Sequence, residues 1–139
     1  MKRTAKAHWT GNLKEGKGTL TTQSNILNQA NYSFKLRFEE GLTGTNPEEL
    51  IAAAHSGCFT MAVSSILSQK GFNPTSLDTV ATITLENGVI TNSHLAITGR
   101  VPGLSAGEFE TVTKDAEKNC IVSKALNFSI TSEAKFLGD

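Results

Sequence analysis

Between Asn46 and Lys70 the chain carries a helix without a polar face, and this segment limits the possible folds more than any other. Asn46-Pro47-Glu48-Glu49 is a strong helix start, with Asn46 as N-cap, Pro47 at the first helical position and Glu49 placed to close a capping box. Gly71 supplies a stop after about Lys70. In between, Ala52, Ala53, Ala54, Ser56, Gly57, Ala62, Ser64 and Ser65 spread small side chains among Leu50, Ile51, Phe59, Met61, Val63, Ile66 and Leu67. A helix that is apolar or small on every side is buried on most of them. His55, Ser56 and Thr60 interrupt the apolar run Leu50 to Val63, which falls well short of the ~18 apolar residues of a bilayer span. The expectation is therefore a core helix rather than a transmembrane one.

The flanking sequence supplies strands to cover it. Thr4 to Thr10, Gly18 to Gln23 and Asn31 to Glu39 read as strands, the last from the alternation of Tyr32, Phe34, Leu36 and Phe38. On that reading Arg37 points away from those four, at the end of a strand. Thr79 to Leu85 and Ile90 to Val101 form a second pair around the hairpin signal Glu86-Asn87-Gly88. Ser105 opens a second helix, Ala106 to about Lys118, with Phe109, Val112 and Ala116 on one face. A short helix from Cys120 or Ile121 to Leu126 follows, then a strand from Leu126 to Phe136. Strands and helices in separate blocks predict an α+β fold with antiparallel sheets packed on a buried central helix. No repeat or low-complexity segment divides the chain, so residues 1–139 are expected to form one domain. One modest sheet and one further helix leave a face of the central helix uncovered. The expectation is an obligate homodimer, the partner packing on the open side of Asn46 to Lys70.

Charge excludes other classes of partner. The 139 residues include 13 Lys+Arg and 13 Asp+Glu, without a basic run. Neither nucleic acid nor an anionic membrane surface is expected as a partner. With 38% hydrophobic and 19% charged residues the chain is neither disordered nor fibrous. Met1 to Lys6 is charged but is not followed by an apolar signal region, which places the protein in the cytoplasm by expectation. There Cys58 and Cys120 are free thiols for most of the time, and a bridge between them is transient and chemical.

Chemistry is concentrated around Cys58. His55 precedes it by three residues on the same helix face. Positive charge nearby favours the thiolate, which is the nucleophilic form of cysteine. The same spacing fits a small buried side chain beside a hydrogen-bonded core histidine. Cys120 lies between two helices, where it is either another buried thiol or a resolving partner for Cys58. A zinc site from His55, Cys58 and Cys120 lacks any CxxC or HxxxH spacing. Arg37 and Glu48 are each either solvated charges or a guanidinium held by a carboxylate beside the thiol. His8 and His94 lie on strands without evident partners and read as structural.

The run Thr45-Asn46-Pro47-Glu48-Glu49-Leu50-Ile51-Ala52-Ala53-Ala54-His55-Ser56-Gly57-Cys58-Phe59 resembles the signature of the osmotically inducible and organic hydroperoxide resistance proteins. Ala7-His8-Trp9, Gly16-Lys17-Gly18, Leu27-Asn28-Gln29, Arg37-Phe38-Glu39 and Pro74-Thr75-Ser76 extend the resemblance along the chain, closest to the osmotically inducible branch. The resemblance implies a thiol-dependent peroxidase acting on organic hydroperoxides as an intertwined homodimer. It matches Cys58 to the peroxidatic cysteine, Cys120 to the resolving cysteine, Arg37 to the arginine beside the thiolate and Glu48 to the carboxylate that orients it. His55 and Phe59 are the expected supporting residues near the substrate. No bound cofactor is implied. The reductant would be an external dithiol, a lipoyl group on a protein in this family. Ile121 stands where the family often has proline, which predicts a less rigid loop at Cys120.

Glu48 and Cys58 are ten residues apart, roughly 15 Å of rise on one helix, too far to line one small pocket in one subunit. Two antiparallel copies of the helix would solve this by bringing Glu48 of one chain beside Cys58 of the other. Two rival readings are an apolar-ligand-binding or stress protein on the same fold, and a cysteine hydrolase using Cys58 and His55. The second lacks free backbone N–H groups for an oxyanion, because Cys58 sits in mid-helix.

Overall fold

The computed structural model describes residues 1–139. Its contacts divide the chain into two compact units, Met1–Leu50 and Ile51–Asp139. The first unit is an antiparallel meander of β1 (Ala5–Thr10), β2 (Lys17–Thr22) and β3 (Ala30–Tyr32). Gly18 pairs with Trp9 on one side and Tyr32 on the other, and their rings approach to 5.5 Å between centroids. A Cβ at Gly18 would enter both rings, so the missing side chain permits the aromatic contact.

The predicted strand Asn31 to Glu39 is a correction. Only three residues, Ala30–Tyr32, are strand, and the chain then enters a 3-10 turn over Lys35–Arg37. Ser33 Oγ accepts the Leu36 N–H at 3.3 Å, a local side-chain bond that offers the backbone an alternative to the ladder. Phe34 and Phe38 then meet edge to face at 5.1 Å. The alternation of Tyr32, Phe34, Leu36 and Phe38 concealed this, because Phe34 and Phe38 are also four residues apart, the spacing of a helical turn. Arg37 accordingly sits at the end of that turn and not on a strand.

Helix α1 (Pro47–Gln69) starts as expected: Asn46 Oδ1 accepts the Glu49 N–H at 2.8 Å. Glu49 does not close the capping box but accepts from the Thr45 hydroxyl at 3.0 Å. Thr45 in turn donates its N–H to Asn31 O and bridges to Tyr32, which ties the helix start to β3.

In the second unit, β4 (Ser76–Glu86) and β5 (Val89–Arg100) form a hairpin through Asn87 and Gly88. Both of these have positive φ, 50° and 75°, as a two-residue primed turn requires. Helix α2 (Ala106–Asn119) begins with a complete capping box between Ser105 and Glu108. It is followed by α3 (Ile121–Ala125) and β6 (Ser129–Phe136). β6 lies parallel to β5, so this sheet is mixed rather than antiparallel as expected. The two helices between β5 and β6 form a crossover long enough to return the chain in the same direction, which a hairpin cannot do.

One apolar cluster fills this unit: Phe59, Val63 and Leu67 from α1, Leu95 and Ile97 from β5, and Phe109, Val112 and Ala116 from α2. Only one face of α1 takes part. His55, Phe59, Val63 and Leu67 recur every four residues and are buried, whereas Ala53, Ala54, Gly57, Met61 and Ser65 are exposed. The expected burial of the central helix is thus half accomplished within one chain. By length and composition α1 is also apolar enough to cross a membrane. Its buried face, however, ends in a histidine hydrogen-bonded on both nitrogens, as in the core helix of a globular unit.

Gly99 in β5 lies beneath the Phe109 ring, which packs at 5.4 Å against Phe136. The ring leaves no space for a Cβ at this position. Gly99→Ala is expected to destabilise the protein by about 1–3 kcal/mol, the range for overpacking a filled core, as a lower urea midpoint at unchanged slope.

Candidate active site

The two cysteines occupy different supports in the second unit. Cys58 is in the middle of α1, three residues after His55, and is half-buried. Cys120 is buried between α2 and α3 and caps both: its N–H donates to Ala116 O at 3.0 Å, and its Sγ accepts the Ser123 N–H at 3.2 Å. The first turn of α3 also reaches the other thiol, because the Val122 N–H points at Cys58 Sγ at 3.5 Å. Both sulfurs are therefore held by successive backbone N–H groups of one short segment, and both are free thiols.

The segment around Cys120 is not a loose loop. It passes directly from α2 to α3 with Cys120 at φ −63° and ψ 144°, the extended conformation that a following proline would also demand. Ile121 at the first position of α3 is 80% exposed and has no packing role within the chain.

His55 is fully buried, and its ring does not engage Cys58. Nδ1 lies 2.7 Å from Ser93 Oγ on β5, and Nε2 lies 2.8 Å from Ser123 Oγ on α3. Ser123 Oγ is also 3.0 Å from Cys120 Sγ. The hydrogen-bonded core histidine considered from the sequence is thus the arrangement found. With both nitrogens occupied, His55 is no base for Cys58, and the hydrolase reading loses its pair. Nor does any group of three His, Cys, Asp or Glu side chains converge as metal ligands would. Phe59, the other expected supporting residue, is fully buried in the apolar cluster.

Ser93 and Ser123 are functional candidates that emerge only from the fold. A signal for Ser93 exists in β5, where the inward residues Ser93, Leu95, Ile97 and Gly99 alternate and only the first carries a hydroxyl. Ser123 gives none beyond its position three residues after Cys120. His94 faces the other side of β5, within 2.7 Å of Thr131 Oγ1 and 3.2 Å of Glu133 Oε1, a cross-strand contact to β6. His8 lies exposed on β1.

In the first unit the structure pairs Arg37 with Glu48. Arg37 Nε lies 3.0 Å and 3.2 Å from the two carboxylate oxygens, and Glu48 is the more buried of the two. The 3-10 turn presents Arg37, and the start of α1 presents Glu48, with Asn46 Nδ2 donating to Leu36 O at 3.0 Å to fix the two segments. Beside the guanidinium opens an apolar cleft of about 320 Å³ lined by Trp9, Leu13, Tyr32 and Phe34. No single segment of the sequence signals this cleft, because three separate segments contribute to it.

A model of the family described as OsmC-like protein matches residues 39–135. The chain belongs to that family. It is 47% identical over 129 residues to Peroxiredoxin OsmC of Escherichia coli strain K12, with 90% of each chain covered. It is 32% identical over 96 residues to Organic hydroperoxide resistance protein-like 2 of Staphylococcus epidermidis, with 66% of each covered. Among solved structures, an OsmC-like protein from Mycoplasma pneumoniae superposes with a TM-score of 0.75 at 14% identity, covering 98% of this chain and 97% of that one. An organic hydroperoxide resistance protein from Legionella pneumophila gives 0.68 at 21% identity, covering 98% and 96%. These likenesses identify the α+β fold of OsmC-like proteins, with two small sheets and helices, as the fold of this chain.

Burial holds His55 below the ordinary histidine pKa, which favours its neutral form in the folded chain. The unfolded chain binds the proton more readily, below about pH 6.5. This contribution to stability is complete above that value and is lost as pH falls through it. Urea midpoints of the wild type are expected to fall between pH 7.5 and pH 5, and His55→Gln to remove part of that slope.

Proposed function

We propose that this protein is a cysteine-based peroxidase that reduces organic hydroperoxides to alcohols in oxidative stress defence, with Cys58 as nucleophile and Cys120 as resolving thiol. The peroxidase class rests on 47% identity to a peroxiredoxin over nine tenths of the chain. The observation that carries the residue assignment is the convergence of both sulfurs on the first turn of α3.

In this cycle the Cys58 thiolate attacks the distal oxygen of the hydroperoxide. The O–O bond breaks, the alkoxide takes up a proton and leaves as the alcohol, and Cys58 becomes a sulfenic acid. The Val122 N–H stabilises the negative charge of the Cys58 thiolate. Cys120 then displaces hydroxide from the oxidised sulfur to form a disulfide, and water is released. Two electrons from an external dithiol, a lipoyl group by the family resemblance, restore both thiols. No bound cofactor enters the cycle.

The functional unit is a homodimer built on α1. Its exposed face, with Ala54, Gly57, Met61 and Ser65 at helical spacing and Met61 74% exposed, fits close approach of a second helix. Two antiparallel copies would bring the Arg37–Glu48 pair of one subunit to Cys58 of the other. There the guanidinium would stabilise the thiolate and orient the peroxide. The cleft of Trp9, Leu13, Tyr32 and Phe34 beside Arg37 suits the apolar tail of the substrate.

One equivalent of an organic hydroperoxide is expected to remove both thiols of the wild type with a mass loss of about 2 Da, and to leave a trappable sulfenic acid in Cys120→Ser. Persistence of both thiols for minutes would instead favour an apolar-ligand-binding protein. Arg37→Ala should lower kcat/KM by about 10²-fold or more, the scale of losing one charge-stabilising donor. Mixed dimers of Cys58→Ser and Arg37→Ala subunits should recover activity that neither homodimer has, because each mixed dimer contains one intact site in trans. Absence of recovery would place the arginine and the cysteine of one site on the same chain.

A further inference from the structure

The contacts at His55 form a directed chain. The heavy-atom sequence is Ser93 Oγ, His55 Nδ1, His55 Nε2, Ser123 Oγ, Cys120 Sγ, with successive hydrogen-bond separations of 2.7, 2.8 and 3.0 Å. Ser93 and His55 are fully buried, Ser123 is 5% exposed and Cys120 2%. A histidine needed only to fill space would not require a hydroxyl shared with a redox thiol. The hydrogen bookkeeping is consistent in both protonation states. With neutral His55 protonated on Nδ1, that N–H donates to Ser93, the Ser123 hydroxyl donates to Nε2, and the Cys120 thiol donates to Ser123 Oγ. After transfer, Nε2–H donates to Ser123 Oγ, and the Ser123 hydroxyl and N–H both donate to the Cys120 thiolate. The same atom positions serve both states, so no rearrangement accompanies the proton movement.

We propose that Ser123 and His55 form a proton relay that takes the thiol proton of Cys120 and thereby drives its attack on oxidised Cys58. The proposal rests on the peroxidase reading above and supplies the base for its second step. In that step the Cys120 sulfur forms the S–S bond to Cys58 while the Cys58 S–O bond breaks. Cys120 is oxidised and the sulfenic sulfur reduced. The Cys120 proton passes to Ser123 Oγ as the Ser123 proton passes to His55 Nε2. The leaving hydroxide takes a proton from solvent to become water, and His55 returns its extra proton to solvent, so charge and atoms balance. Ser123 touches the reacting sulfur and is a catalytic residue of this step. His55 acts through it and is a positioning and proton-accepting residue.

The groups that face the His55 ring are Ser93 from β5 and Ser123 from α3, with Cys120 behind it; Cys58 lies three residues along the same helix without a bond to the ring. No charged side chain bonds to it: His94 and Glu133 contact each other on the opposite face of the sheet, and Lys114 of α2 bonds to Glu117 and Ser132. A buried, neutral imidazole is the form that can accept a proton at neutral pH.

The test separates the two steps by rapid mixing of the reduced full-length protein with an organic hydroperoxide, followed by acid quench and intact mass. Sulfenic acid formation at Cys58 and its conversion to disulfide are timed from pH 6 to 9.5 for wild type, Ser123→Ala and His55→Gln. Ser123→Ala keeps the backbone bond to Cys120 and a filled turn. Sulfenic acid formation should be unchanged in Ser123→Ala. Disulfide formation should be nearly flat with pH in the wild type. In both variants it should fall steeply as pH is lowered, because the Cys120 thiol proton then has only solvent to accept it. The expected deficit against wild type is at least tenfold at pH 6.5 and narrows as the pH rises to 9.5. A uniform slowing at every pH, or Ser123→Ala profiles parallel to wild type, overturns the relay and leaves a structural histidine. If the wild type forms no sulfenic acid, the peroxidase reading fails at the first step, an outcome distinct from a relay that fails at the second. Should His55→Gln not fold, as judged by circular dichroism, the Ser123→Ala profile decides alone.

Discussion

His55 holds three elements of the second unit in one arrangement. Its two ring nitrogens reach β5 through Ser93 and α3 through Ser123, and its backbone belongs to α1. An imidazole buried without partners would carry a desolvation penalty of about 1–3 kcal/mol for each unmet polar group. The pairing of both nitrogens therefore fixes the rotation of α1 as well as its position. Apolar contacts at Phe59, Val63 and Leu67 would tolerate small rotations of the helix, whereas a hydrogen bond at 2.7 Å is directional. Cys58 inherits its aim from that constraint, because it lies one turn from the pinned residue.

The placement of the second thiol follows from backbone chemistry. A helix end leaves N–H groups without partners, and here the orphan donors of α3 are met by sulfur: Cys120 takes the Ser123 N–H and Cys58 the Val122 N–H. The helix start thereby links two residues that are distant in sequence without any covalent bond. Cys120 is the cap of both helices at the junction of α2 and α3.

The long central helix, its start at Asn46, the hairpin at Asn87-Gly88, α2 and α3 were all legible in the sequence. Each is specified by local signals: capping residues, glycine at positive φ, and apolar spacing within one segment. Two of the expectations that the fold overturned failed for identifiable reasons. At Tyr32 to Phe38 the spacing of the aromatic residues satisfies both a strand and a turn, and a single hydroxyl, Ser33, decided in favour of the turn. The direction of β6 carries no local signal, since an alternating strand reads the same in parallel and antiparallel pairs, and the crossover through α2 and α3 made it parallel to β5.

The candidate site divides along the same line. Sequence alone singled out the candidate residues, since Cys58, Cys120, Arg37 and Glu48 are reactive or charged types that the family resemblance matches to its site. It also determined that α1 has more apolar surface than one chain covers, because that follows from composition around a helical circumference. Only the tertiary structure decided that His55 turns from Cys58 to two serines, that Ser123 joins it to Cys120, and that Arg37 meets Glu48 beside an aromatic cleft. The physical reason is that hydrogen bonds act over about 3 Å between atoms, whereas sequence spacing fixes distances only within one regular element. Ser93, His55 and Ser123 lie on three such elements, and their contact exists only once β5, α1 and α3 have packed.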